Sequence, residues 1–190
     1  MSLLGFTPSN HPEQVAARVV LADKDERYTL LEDFAPWHAE IRHTLDVAGC
    51  GAAPVSKLIG RWCGHEGIAP DGLLVDWDGE KVWCNGPFSF IRPWIEKAWL
   101  SHAVVDSIWP ANRTEQPFWQ ELVEPFRDRP GSPLRVQFLA ERTRFGTPKD
   151  PHGKRAGSPP FGCVRLTWMT AERHREWMPM ALQLSLWRPR

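Results

Sequence analysis

The chain has 190 residues, 42% of them hydrophobic, with 23 basic and 23 acidic side chains and a formal net charge of zero. That length suits one domain with a full hydrophobic core, and the composition is that of a soluble globular protein. No apolar run approaches the ~20 residues of a membrane span. The four cysteines, Cys50, Cys63, Cys84 and Cys163, form no Cys-x-x-Cys pair, which argues against a zinc ribbon. The start, Met-Ser-Leu-Leu-Gly-Phe, has no secretory pattern, so reduced thiols and a cytoplasmic location are expected. Cys63-Gly64-His65 is the nearest approach to a metal pair and reads as a loop, so no metal is expected.

Zero net charge hides an asymmetry. Glu141–Arg190 carries ten Lys/Arg and four Asp/Glu, leaving thirteen basic and nineteen acidic residues before it. A basic C-terminal quarter can meet a polyanion on one face. Eleven tryptophans against one tyrosine supply both core area and stacking platforms for bases, and most are expected in the core.

Residues 1–27 read as a lead-in segment with a short helix over Pro12–Leu21, and residues 28–190 as a single domain. In chain order, the pattern predicts a helix over Leu30–Glu40 and a strand over Thr44–Val47. A helix follows over Pro54–Trp62, and Gly64–Gly72, with three glycines and Pro70, is a loop. Short strands are predicted at Leu73–Val75 and Lys81–Cys84, separated by the turn-prone Asp76-Trp77-Asp78-Gly79. Trp94, Ile95, Ala98 and Trp99 recur at helical spacing after Pro93, predicting a helix to His102. A buried strand over Ala103–Trp109, a helix over Pro117–Phe126 and a strand over Leu134–Leu139 come next. Residues 145–162 form a long basic loop with four prolines and four glycines. Apolar stretches at Val164–Met169 and Ala181–Trp187, flanking a charged segment, close the chain. Alternating strands and helices predict an α/β layered fold.

Two motifs carry chemistry. In Val82-Trp83-Cys84-Asn85-Gly86-Pro87-Phe88 a strand empties into a loop headed by an amide and closed by an aromatic ring. An exocyclic amino nitrogen on a nucleobase is a poor nucleophile, because its lone pair is delocalised into the ring. Acceptors holding both protons favour a tetrahedral nitrogen with its lone pair free. The Asn85 side-chain oxygen and the Gly86 carbonyl can serve, and Phe88 offers a stacking face. A Gly-Pro turn over a buried phenylalanine is the structural alternative. In Leu45-Asp46-Val47-Ala48-Gly49-Cys50-Gly51, an acidic residue at a strand end precedes closely spaced glycines. That order suits close backbone approach to an adenosyl cofactor, or a glycine-rich turn capped by an aspartate.

Several ordered segments carry a resemblance. Tyr28-Thr29, Thr44–Ala48, Asp76-Trp77, Val82–Ser89, Pro93–Ala98, Arg135–Gly146 and Gly157–Gly162 resemble the phage-type DNA N6-adenine methyltransferase family over roughly Tyr28 to Trp168. The resemblance implies a Rossmann-like methyltransferase sheet with flanking helices, S-adenosylmethionine as cofactor and DNA as partner. Asn85, Gly86, Pro87 and Phe88 would form the target-base pocket, and Asp46, Gly49 and Gly51 would lie near the cofactor. Thr29 would approach its methionine end, and Glu66 and Asp71 are both candidates for its ribose. Gly86, Phe88 and Leu30 depart from the family's Asn-Pro-Pro-Tyr and Tyr-Thr-Pro, and Asp-x-x-Gly-x-Gly is one residue short of its glycine motif. These departures keep a catalytically degenerate relative in view, and cytosine N4 makes the same chemical demand as adenine N6. The tryptophans also leave open a module that binds a partner or sugar. Arg142, Arg144, Lys149, Lys154 and Arg155, in and before the long loop, are expected to contact DNA phosphates.

Overall fold

Side chains alternate across the sheet with period two along its three best-paired strands. The computed structural model describes residues 25–154, 159–169, 179 and 182. Seven strands occur among them: β1 (Tyr28–Thr29), β2 (Leu45–Asp46), β3 (Lys81–Cys84), β4 (Val104–Pro110), β5 (Leu134–Phe138), β6 (Phe145–Gly146) and β7 (Cys163–Trp168). Four helices accompany them: α1 (Leu31–Ile41), α2 (Pro54–Ile59), α3 (Arg92–Leu100) and α4 (Pro117–Leu122). The result is a mixed α/β fold. Its five-stranded sheet runs β2-β3-β4-β7-β5, with β2, β3 and β4 parallel and β7 antiparallel to both neighbours. β1 and β6 form a separate antiparallel pair.

One sheet face carries Val82, Cys84, Val105, Trp109, Val164, Leu166 and Trp168, and packs on α3 and α4 through Trp94, Ile95, Trp99, Trp119 and Leu122. The other face carries Trp83, Ile108 and Cys163, and packs on Phe34 of α1 and Val55 of α2. Among the described residues seven tryptophans are buried in the core. All four cysteines are free, and among the described residues no helix is long and apolar enough to cross a membrane.

Most predicted elements stand within a residue or two, and four segments differ. Leu73–Val75 is not a strand: Gly72–Leu74 forms a 3-10 turn. The Asp71 carboxylate caps the Leu73 N–H at 2.8 Å, while Lys97 Nζ donates to the Leu73 and Val75 carbonyls at 2.7 and 2.6 Å. Groups that a strand would offer to a ladder are taken by side chains instead. Helix α2 stops at Ile59 because Gly60 takes a left-handed conformation with φ 82°. Helix α4 ends at Leu122, four residues early, where Val123 leaves helical geometry. The 145–162 segment is less of a loop than expected, since its first two residues pair with β1. The predicted Pro12–Leu21 helix and nearly all of the final segment lie outside the described residues.

Candidate functional site

Parallel strands leave a crevice at their carboxyl ends, where ligands of open α/β sheets bind. Here β2 ends at Asp46 and β3 at Cys84, and the chain beyond each runs into a cavity of about 290 Å³. That volume lies at the lower edge of the ~300–1,000 Å³ typical of small-ligand sites. Val47, Gly49, Cys63, Asp71, Asn85, Pro87 and Trp94 contribute to its wall, and the Asp25–Tyr28 segment closes one side.

Asn85 is the most constrained polar group on this wall. Its Nδ2 donates to the Arg27 carbonyl at 2.6 Å and to Thr29 Oγ1 at 3.1 Å. A carbonyl can only accept, so these bonds fix which end of the amide is nitrogen. The other end, Oδ1, is buried and has no hydrogen-bond partner. A buried acceptor left unmade costs about 1–3 kcal/mol, which a ligand carrying an N–H can recover. Thr29, which is buried, thus holds Asn85 and is not itself part of the cavity wall.

Gly86 is wedged between two indoles. A Cβ on it would lie 3.1 Å from both Trp109 Cη2 and Trp94 Cε2, so the bulk of these rings takes up the room a larger residue would need. Pro87 lines the cavity, but Phe88 does not. Its ring is boxed by Trp109, Phe145 and Phe161, with centroids 6.3, 5.7 and 6.1 Å away. Phe88 instead borders a neighbouring hollow of about 430 Å³ with Phe90 and Arg113.

On the β2 side, Asp46 points to the α1/α2 face and is buried. Its Oδ2 accepts the Ser56 hydroxyl at 2.6 Å and its Oδ1 the Ala48 N–H at 3.2 Å. Burial pushes its carboxyl up to about 6, against the lowering effect of these two bonds. A Cβ at Gly49 would collide with Ser56 Oγ and the Asp46 carboxylate, so only glycine lets this turn close over them. Asp46 braces the turn from beneath, and Gly49 lines the cavity. Gly51 lies off it, donating to the His65 carbonyl at 3.3 Å. Of the two acidic candidates on the far wall, Asp71 lines the cavity and Glu66 does not. Tyr28 Oη accepts from Cys50 Sγ at 3.2 Å, and burial, then this thiol, raise its pKa.

The predicted basic residues do not share this cavity. Arg142 and Arg144 line a third hollow of about 340 Å³ beside Glu32 and Asp33, and Arg144 pairs with Glu32 at 2.9 Å. Lys149 and Lys154 are exposed on the turns that follow β6. Those turns follow β6, the antiparallel partner of β1, whose Tyr28 lines the cavity together with the preceding Arg27. Arg155 lies outside the described residues.

Trp94, Arg27 and Tyr28 are cavity residues that carried no predicted site role. Trp94 sat in an amphipathic helix pattern and read as core. No local pattern could bring Arg27 to Asn85, because that contact spans 58 positions. No family model, curated protein or solved structure matches the chain.

Proposed function

We propose that the protein transfers a methyl group from S-adenosylmethionine to the N6 amino group of adenine in DNA, on a Rossmann-like methyltransferase sheet. The buried, unpartnered Asn85 Oδ1, fixed in orientation at the carboxyl end of β3, carries this reading. It is the acceptor that an amino group needs in order to become a nucleophile.

The wall residues fit the cofactor. Gly49 keeps the turn after β2 free of a side chain that would collide there, Val47 and Trp94 supply apolar surface, and Asp71 supplies a carboxylate for ribose hydroxyls. When bound, S-adenosylmethionine supplies a methyl group on a positively charged sulfur, open to attack by a nucleophile. Asn85 Oδ1 takes one amino proton in a hydrogen bond, and the Gly86 carbonyl takes the other. The amino lone pair is then released from the ring, and the departing proton passes to solvent. Extruding the base from a duplex costs a few kcal/mol. Contacts of Lys149, Lys154 and Arg155 to phosphates offset part of that cost.

A second reading is a relative that binds the cofactor or DNA and no longer transfers methyl groups. The enclosure of Phe88 favours it, since a ring boxed by three aromatics offers little face to a base. Calorimetric titration with S-adenosylmethionine, repeated on Asn85→Ala, tests the shared part of both readings. Saturable heat in both proteins is expected. Absence of heat from the wild type would remove the cofactor and with it methyl transfer, leaving only a relative that binds DNA.

A further inference from the structure

Indole N–H groups are donors only, and a buried one ordinarily finds an acceptor. Trp77, Trp99, Trp109 and Trp119 do so, at 2.9, 2.8, 2.9 and 2.9 Å from Gly72 O, Leu122 O, Ser107 Oγ and Glu124 Oε2. Trp94 is 6% exposed, and its Nε1 has no partner. Trp168 Nε1 is alike in this, but Trp168 packs in the core against Trp99. Trp94 alone of the two lines the cavity, on the same wall as Asn85.

Its ring is held in place from two sides. It stacks on Trp77 at 6.3 Å and 24°, and Trp77 is itself anchored to the Gly72 carbonyl with Lys97 Nζ 5.3 Å from its ring centre. On the other side it abuts Gly86, where a Cβ would come within 3.1 Å of it. A ring locked this way keeps its N–H in one orientation beside the Asn85 loop.

We infer that the Trp94 indole N–H is a second polar reader of the cavity's ligand, donating to a ring nitrogen of adenine. One orphaned acceptor and one orphaned donor on the same wall complement an adenine edge, which presents an amino donor beside a ring-nitrogen acceptor. This rests on the methyltransferase reading. Two sources of adenine share the chemistry, the target base and the adenosyl part of the methyl donor.

Nuclear magnetic resonance of ¹⁵N-labelled protein separates them, because each indole N–H gives its own signal and the one missing from Trp94→Phe belongs to Trp94. Titrations use S-adenosylhomocysteine, an adenine-containing oligonucleotide and a thymine-only oligonucleotide. The Trp94 signal is expected to move downfield with one of the first two and to stay put with the third. Trp94→Phe should weaken that ligand about tenfold, the cost of one hydrogen bond. Its melting temperature should hold or rise, since a buried unpaired donor has been removed. A role confined to packing predicts the reverse pattern, a lower melting temperature with affinity within twofold of wild type. If the Asn85 amide signals move with an adenine ligand while Trp94 stays still, Trp94 is no reader, and the site's reading survives. If neither responds to any adenine, both fall together. Trp94→Tyr gives the same assignment should the phenylalanine variant fail to fold.

Discussion

Two buried polar clusters in this protein follow opposite rules. Under α1, the Asp106 carboxylate accepts His43 Nε2 at 3.1 Å, Arg165 Nε and Nη2 at 2.8 and 3.0 Å, and Thr167 Oγ1 at 3.0 Å. Burial opposes the Arg165 charge, yet Asp106 and Glu40 hold its pKa above the usual value. Near the strand ends, Asn85 and Trp94, both residues of the cavity wall, each leave a buried atom unpaired. A carboxylate that fills its lone pairs from within serves the fold. Groups that fold into place and wait for a partner serve a ligand. The two unpaired nitrogens on the α1 side, Nδ1 of His38 and of His43, belong to imidazoles stacked 5.5 Å apart and line none of the three hollows described.

Substitutions at the two clusters should therefore separate stability from function. Asp106→Ala strands a buried arginine and should cost about 3–5 kcal/mol of stability, read as a shifted denaturant midpoint. A loss under about 1 kcal/mol would mean that the cluster does not brace the fold. Asn85→Ala should do the opposite. Methyl transfer should fall at least about a hundredfold, the scale of removing one preorganised transition-state hydrogen bond. Stability should fall by no more than the about 1–3 kcal/mol of losing the amide's bonds to Arg27 and Thr29, and cofactor affinity should stay near wild type. Transfer within twofold of wild type would remove Asn85 from the mechanism.

Asp46 sharpens the contrast, since its pKa of about 6 exceeds the 3.8 of an ordinary aspartate. The folded state holds this proton more tightly than the unfolded state between those values. Stability should therefore fall as pH rises from about 4 to about 6, by on the order of 3 kcal/mol. Asp46→Asn should flatten that part of the profile and match wild type below it. A profile that keeps its slope in the variant assigns the pH dependence to another group. Asp46→Ala should weaken cofactor binding by releasing the Gly49 turn, and an unchanged dissociation constant in a folded variant would show that the turn needs no brace.

The smallest effect is expected from the basic residues after β6. Replacing Lys149, Lys154 and Arg155 with alanine should lower the salt slope of duplex binding by about 0.9 for each phosphate no longer neutralised. The methylated base should not change. Equal affinity and slope across a salt series would leave these turns merely solvated.

How legible this was depended on the range of the interactions. Trp94, Ile95, Ala98 and Trp99 announced α3 because helical spacing is local, and β3 was bounded correctly at Lys81 and Cys84. Leu73–Val75 misled because three apolar residues say nothing of the Lys97 ammonium that captures their carbonyls. The Asn85 loop could be found from its order of residues. Its hold on Arg27 and Thr29 could not, because β1 finds β6 across more than a hundred positions. Asp106 and Arg165 left a readable trace: a charge inside Val105-Asp106-Ser107-Ile108 and another inside Val164-Arg165-Leu166 each interrupt a buried strand, and such charges call for each other.

Mass spectrometry of nucleosides from DNA incubated with protein and S-adenosylmethionine tests the central claim most directly. N6-methyladenine should accumulate with the wild type and vanish with Asn85→Ala. N4-methylcytosine in its place would move the target to cytosine, and no methylated base from a protein that binds the cofactor would contradict the assignment of methyl transfer to this site.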